Sequence, residues 1–465
     1  MSVCKLIDTK NMFDKQISYD VLIIGLGKTG MSCLRYLSRK DLSLAVADNR
    51  NTPPELKVLK DEFSELPVYL GEFDPMLFRC AKLIILSPGV SIFDPAIQYA
   101  IDNGVEVIGD IELFVRNTTA PIIAITGSNG KSTVATLITE MISASGVKVE
   151  LGGNIGTPAL SLLERSQPEF YVLELSSFQL ETVQSLNAVV SVILNVSNDH
   201  MDRYETIDDY VSDKKKIYSG SGCIAINKDD NFIYSIVNKN RKIISYSFDS
   251  PNGDEVGIRL IDDVEWICFG NQKILSLKDI LIKGRHNVYN VLAALALGFS
   301  IGLEIESMVT AIKLFKGLPH RCELLTTFNN VEWINDSKGT NPGATCAAIE
   351  GVAKDNNIVL IAGGDSKCAE FSSLAKSVIG RVHTVILIGI DANRIASVLD
   401  NTINIYHATS MDGAVSLAMK LARNGDSVLL SPACASIDMF SDYQERGTVF
   451  KQAVLKIQKE WEEHA

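Results

Sequence analysis

The sequence PIIAITGSNGKST, residues 121–133, runs an apolar stretch straight into Gly127, Ser128, Asn129, Gly130, Lys131, Ser132 and Thr133. Backbone N–H groups in such a turn converge on phosphate oxygens at a helix N-terminus, the Lys131 ammonium neutralises charge, and the Ser132 hydroxyl reaches a magnesium ion. The familiar spelling is G-x-x-x-x-G-K-S; here it is the shorter G-x-x-G-K-S, with Ile125 where the first glycine belongs. Downstream, YVLELSSFQLE places Glu174 at the end of another apolar run, where burying a carboxylate is costly unless it meets a cation. Glu174 is therefore a candidate magnesium ligand, against the plainer reading of a solvated strand-end acid. VILNVSNDHMDRY adds Asn195, Asp199, His200 and Asp202 past a further apolar run, with a capping cluster as the bland alternative.

A second phosphate-type signal lies earlier. VLIIGLGKTG, residues 21–30, carries Gly25, Gly27 and Gly30, and SLAVAD ends on Asp48, the spacing of a dinucleotide-binding turn with an acid for a ribose hydroxyl. A nicotinamide dehydrogenase explains this turn but leaves residues 125–133 idle. A nucleotide hydrolase acting on a protein partner uses residues 125–200 but not the first turn, and an inactive scaffold needs neither. Further on, YVSDKKKIY holds three consecutive lysines, whose bland reading is a solvated helix face. In a helix, however, Tyr210, Lys214, Ile217 and Tyr218 share one side, whereas Lys215 and Lys216 turn away by steps of about 100°.

These residues need elements to hold them. From Tyr19 to about Asp110, short β-branched runs alternate with helix-like segments, which predicts a parallel sheet whose carboxyl edge gathers Gly27–Gly30, Asp48–Arg50 and Ser87–Gly89. A second unit opens at residue 121, turns to antiparallel-looking text between Gly222 and Ile282, and closes with one buried helix over HNVYNVLAALALGFSIG, ending near Gly317. A third runs through VEWINDS, NIVLIAGGD, HTVILIG, INIYHAT and SVLLSPACAS, again doubly wound α/β. The expected limits are 1–110, 111–317 and 318–465: an α/β chain with two Rossmann-like domains flanking a central domain of mostly parallel sheet plus a small antiparallel one.

At 465 residues, three domains of about 150 residues each are the natural division. With 46% apolar and 22% charged residues the composition is globular, and a net charge of -12 argues against non-specific binding of nucleic acid. Nine cysteines stand singly, with no CxxC pair, as in a reducing compartment. The first residues lack the apolar core of a signal peptide, and VLAALALGFSIGL, residues 291–303, is short of a bilayer span. A cytoplasmic monomer with no membrane span is expected.

Together GSNGKST, ELSSFQLE, LNVSNDHMDRY, KGRHNVYN, GLPHRCE, NDSKGTNP, GGDSK and LSPACAS resemble the Mur ligases, ATP-dependent amide-forming enzymes of bacterial cell-wall precursor synthesis. The resemblance runs from about Tyr19 onward and is closest to the D-glutamate-adding branch; no Asp-Asn-Pro-Arg segment of the diaminopimelate-adding type is present. It implies that the first domain binds the uridine diphosphate of UDP-N-acetylmuramoyl-L-alanine through Lys28, Thr29, Asp48, Asn49, Arg50 and Gly89, with Asn154. It assigns ATP to residues 127–133 with Asn287 and Asn290 on the adenine side, Arg321 at the γ-phosphate and Asp336 at the ribose. Two magnesium ions fall to Ser132, Glu174, His200 and Lys214, the last as a carbamate. D-Glutamate falls to Lys338, Thr340, Lys367, Ser436 and Tyr443. Tyr443 stands where the resemblance leads one to expect phenylalanine, and Asn198 where an acid is common.

Overall fold

The computed structural model describes residues 18–165, 167–197, 203–204, 206–237, 240–282 and 284–463. His200, with Asn198, Asp199 and Asp202, lies outside them. Three mostly parallel sheets organise the chain, each flanked by helices. The first has five parallel strands in the spatial order Val68–Leu70, Leu44–Asp48, Tyr19–Ile24, Ala81–Leu86, Glu106–Gly109. Strand order reverses beside Tyr19–Ile24, which opens a crevice at the carboxyl ends. Two of the glycines that follow are required there: Gly25 has φ 93°, and a Cβ on Gly30 would come 1.9 Å from the Gly25 carbonyl oxygen, whereas Gly27 has open space beside it.

The second sheet has nine strands. Val149–Gly153, Phe170–Glu174, Ile122–Thr126, Val190–Ile193, Cys223–Asn227 and Ile243–Tyr246 come from its parallel part, with Ile122–Thr126 buried throughout between Phe170–Glu174 and Val190–Ile193. Glu255–Ile261, Val264–Phe269 and Gln272–Ser276 are the antiparallel strands. They continue the same sheet, because Ser245 and Tyr246 pair in parallel with Glu255 and Val256. The first hairpin turns at Asp262 and Asp263, φ 50° and 59°, the left-handed pair that matches strand twist in a tight turn.

The helix Lys131–Ala144 buries Val134, Leu137, Ile138, Met141 and Ile142, a helical stripe, against the helices Arg285–Ser300 and Ile305–Leu314. The pattern HNVYNVLAALALGFSIG, residues 286–302, predicts one buried helix, and the helix found there spans Arg285–Ser300. The chain breaks at Gly302, φ 77°, where that pattern ends, since a left-handed residue ends a right-handed helix, and a second helix, Ile305–Leu314, follows before the expected limit near Gly317. The third sheet orders Glu323–Phe328, Val331–Asn335, Ser427–Leu430, Ile358–Gly363, Val382–Ile388 and Asn404–His407, with only the first pair antiparallel. Among the described residues, no helix is long and apolar enough to cross a membrane.

Between the first and second sheets the chain passes through the helix Asp110–Val115. Asp110 is buried; one carboxylate oxygen accepts from Gln179 Nε2 at 3.1 Å, and the other has no hydrogen-bond partner among the described residues. Burial pushes this carboxyl up to about 6 against hydrogen bonds that favour its charge. Asp110 ionises in the unfolded chain near its ordinary value but in the fold only near 6, so stability falls as pH rises across that window. Asp110→Asn is therefore expected to raise stability near pH 8 by up to about 3 kcal/mol and to add nothing near pH 3.5. Urea unfolding at both pH values measures this; a gain that does not depend on pH would contradict it.

Candidate active site

Parallel pairing brings the carboxyl ends of the central strands together, with Ile125 opposite Glu174 and Thr126 opposite Ile193. The loop that follows is pinned from both sides. Asn195 accepts from the Asn129 amide through its Oδ1 at 2.8 Å and donates to the Asn129 carbonyl at 3.0 Å. Gly127 and Gly130 hold positive φ, 153° and 83°, and a Cβ on Gly130 would lie 2.4 Å from Asn290 Oδ1. Lys131 folds back over this loop, donating to the Gly127 and Ser128 carbonyls at 2.7 and 2.9 Å.

Ser132 sits at the centre of the arrangement. Its hydroxyl donates to Glu174 Oε2 at 2.6 Å and receives from Arg321 Nη2 at 2.7 Å, while Asn154 Nδ2 donates to Glu174 Oε1 at 2.8 Å. A buried carboxylate, a hydroxyl and an amide thus meet where the phosphate loop begins its helix. Lys214, on the helix Ile207–Lys215, is 1% exposed; its Nζ lies 3.2 Å from the Gly127 carbonyl, 3.4 Å from Thr126 Oγ1 and 4.4 Å from the centre of the Tyr210 ring. Lys215 is exposed. Lys216 is half-buried rather than wholly turned out, because its Nζ donates to the Glu181 carbonyl at 2.5 Å and pairs with Asp213 at 2.9 Å.

Two clefts flank this centre. One, of about 480 Å³, lies between the second and third sheets; Asn129, Gly130, Thr133, Asn287, Asn290, Arg321 and Asp336 line it, all from the expected ATP set, together with Lys338. Gly127, Ser128, Lys131 and Ser132 do not line it. Asp336 accepts from Ser431 Oγ at 2.7 Å and from the Cys322 amide at 3.1 Å, and burial raises its carboxyl to about 6.

The other cleft, of about 780 Å³, opens at the carboxyl edge of the first sheet. Lys28, Thr29, Asp48, Asn49, Arg50, Gly89 and Asn154 all line it, with Gln179 and, from the third unit's last helix, Gln444. Asp48 already has partners within the protein. Its oxygens accept from the Leu26 amide at 2.6 Å and from Arg50 Nε and Nη2 at 2.8 and 2.7 Å. Burial opposes its charge, but these bonds outweigh burial and hold its pKa below the ordinary value.

In the third unit the loops around Lys338, Lys367 and Ser436 are drawn together. Asp365 and Ala435 exchange backbone hydrogen bonds at 3.1 and 2.8 Å, which brings the Lys367 loop beside Ser436. Lys338 Nζ stands 4.0 Å over the Tyr443 ring, and the Thr340 amide donates to the Lys338 carbonyl at 2.8 Å. Arg446, missed in the sequence, ties these loops to the helix Tyr443–Glu462: it is 1% exposed and donates to Ser337 Oγ, the Ser337 carbonyl and the Cys434 carbonyl at 3.0, 2.8 and 3.1 Å. Burial lowers its pKa to about 10. Nothing in QERGTVF separated this arginine from a solvated helix charge. Gln179, which is buried, and Gln444, which is exposed, were missed for a similar reason: a glutamine carries no charge or motif that marks a cleft wall.

Residues 19–109 match the family model of the Mur ligase MurD-like N-terminal domain, 125–298 the Mur ligase middle domain, and 320–434 the Mur ligase glutamate ligase domain. A UDP-N-acetylmuramoylalanine–D-glutamate ligase of Nitrosococcus oceani is 48% identical over 442 residues, 95% of this chain and 98% of that protein. The chain belongs to the Mur ligase family. A ligase of the same name from Pseudomonas aeruginosa is 45% identical to this Mur ligase over 438 residues, 94% of this chain and 98% of the relative. Its fold is that of solved Mur ligases. MurF ligase from Thermotoga maritima in complex with ADP aligns at TM-score 0.61 and 15% identity over 97% of each chain. The UDP-N-acetylmuramate–alanine ligase MurC of that organism aligns at 0.59 and 17%, over 95% of this chain and 99% of the other.

In this Mur ligase the contact of Gly130 with Asn290 generates a prediction. Gly130→Ala forces a left-handed side chain into the Asn290 amide and is expected to cost about 1–3 kcal/mol of stability. Urea unfolding followed by circular dichroism tests it; an unchanged midpoint would show that the loop accommodates the methyl group.

Proposed function

We propose that this chain joins D-glutamate to UDP-N-acetylmuramoyl-L-alanine, consuming ATP, in peptidoglycan precursor synthesis. The observation that carries the reading is the 48% identity, across nearly the whole of both chains, to a ligase named for that reaction. The geometry supports it: of two clefts of nucleotide size, one is lined by Arg321, which donates to Ser132, and the other by Asn154, which donates to Glu174. The limits 1–110, 111–317 and 318–465 assign one substrate to each domain, UDP-sugar, ATP and D-glutamate, in a protein read as a cytoplasmic monomer.

A free carboxylate does not form an amide at neutral pH because oxide is too poor a leaving group. In the proposed reaction the L-alanine carboxylate attacks the γ-phosphorus of ATP, forming an acyl phosphate and releasing ADP. The D-glutamate amine then attacks the acyl carbon, and the tetrahedral intermediate expels phosphate. Anions must approach one another in the first step, so the protein's work is positioning and charge neutralisation.

The loop amides and Lys131 hold the phosphates, Arg321 reaches the γ-phosphate from the third unit, and Asn287 and Asn290 orient the base. Ser132 Oγ and the Glu174 carboxylate, 2.6 Å apart, are hard oxygen donors and fit magnesium, with His200 and Lys214 as the further ligands of the reading. Magnesium, when bound, would neutralise phosphoryl oxygens. Lys338, Thr340, Lys367 and Ser436 offer cations and hydroxyls to a dicarboxylate. The test is phosphate release by purified protein with ATP and UDP-N-acetylmuramoyl-L-alanine, comparing D-glutamate with L-glutamate, L-alanine and diaminopimelate. D-Glutamate is expected to be used at least about a hundredfold faster, as for sites that pair every polar group of one substrate; equal rates would defeat the reading.

Lys214 enters as a carbamate. Its buried position disfavours an ammonium, and an uncharged amine adds carbon dioxide through its nitrogen, losing one proton to leave an anion suited to a metal ion. Lys214→Ala is expected to lower turnover by about a thousandfold, the scale of losing a group that organises transition-state charge, and acetate or formate is expected to restore part of it. Lys215→Ala is expected to behave as the parent. Equal loss in both variants, or no response of Lys214→Ala to acetate, would rule the carbamate out.

A further inference from the structure

We infer that Arg203 is a positioning residue for the cleft of the first sheet, holding from the central unit the turn that presents Gly89. This rests on the reading of that cleft as the UDP-sugar site. The guanidinium spans two carbonyls that flank Gly89: Nη1 donates to Pro88 O at 2.9 Å and Nη2 to Val90 O at 3.2 Å. Nη2 also pairs with Glu181 Oε2 at 2.6 Å, and the guanidinium lies 4.5 Å from the centre of the Phe178 ring. The pair is largely withdrawn from water, the Arg203 side chain 16% and that of Glu181 7% exposed, so it is far less screened than a surface ion pair.

Both anchors of Arg203 belong to the helix Ser177–Glu181, which begins three residues after Glu174. The turn it grips is otherwise fastened at its start, where the Ser87 amide and hydroxyl bind Ile24 O and Gly25 O at 2.9 Å each. No peptide among the described residues is cis. In a trans peptide the C=O and the following N–H point opposite ways, so fixing Pro88 O on the guanidinium fixes the direction of the Gly89 N–H. That N–H belongs to a residue lining the cleft. Arg203 thus sets the direction of a backbone donor in the cleft and ties it to the segment that carries Glu174. Lysine cannot do the same, because a single ammonium lacks the planar fork that spans two carbonyls and a carboxylate.

The test measures binding of UDP alone by calorimetry, alongside the KM for ATP, in the parent, Arg203→Ala and Arg203→Lys. Expected is a loss of UDP affinity of about tenfold or more in Arg203→Ala and a smaller loss in Arg203→Lys, with the KM for ATP within about twofold of the parent. A folded Arg203→Ala that binds UDP like the parent overturns the inference. Equal weakening towards UDP and ATP overturns it too, since that is general loosening of the fold. Should Arg203→Ala not fold, Arg203→Lys must show the same split. A parent protein that does not bind UDP at all removes the reading of the cleft and the inference with it, whereas parent binding with indifferent variants removes the inference alone.

Discussion

Ser132 donates a hydrogen bond to Glu174 at 2.6 Å and accepts one from Arg321 at 2.7 Å, so one hydroxyl is fixed between a strand end of one sheet and the edge of another. Every larger feature is arranged so that these three groups meet. The parallel register sets Glu174 level with Ile125, the left-handed Gly130 lets the helix start at Lys131, and the chain reversal before Glu323 delivers Arg321. A one-residue slip between Ile122–Thr126 and Phe170–Glu174 would turn the carboxylate to the other face of the sheet.

Around that point the molecule keeps several charges out of water, and each has a different answer to the cost. Glu174 meets a hydroxyl and an amide. Arg446 meets the hydroxyl and carbonyl of Ser337 and the Cys434 carbonyl, which satisfies its donors although burial still pulls its pKa down. Arg203 keeps a carboxylate partner and an aromatic face. Asp110 and Asp336 answer by shifting towards the neutral acid, both to about 6. Rigid placement of loops, rather than large gains in stability, is what such buried polar groups provide.

Much of this was legible in the chain. Apolar runs ending in glycines marked the carboxyl edges of the sheets, and helical spacing singled out Lys214 from its neighbours, since it alone is 1% exposed. Motif order gave the family. What remained hidden were long-range partners: nothing in the sequence singled out Arg203 or Arg446, because the Pro88, Val90 and Ser337 carbonyls they bind lie about a hundred residues away in the chain. The helix Ile305–Leu314 was not foreseen, because its short run of apolar positions follows Gly302 with no cap to set it apart from a connecting segment. Asp48 lines the cleft as its spacing suggests, and it also binds Arg50 and the Leu26 amide, a local pairing that spacing alone does not reveal.

The reach of Gln444 has a thermodynamic consequence. The last helix of the third unit contributes this side chain to the cleft of the first sheet, while the same unit contributes Arg321 and Asp336 to the cleft beside the phosphate loop. A rigid movement of that unit therefore changes the walls of both clefts together. Any ligand that prefers one placement of the unit shifts the population that the other cleft presents, and the two occupancies are linked by a single reciprocal free energy. Filling either cavity then alters the affinity of the other by an equal factor, with no contact between the two bound molecules.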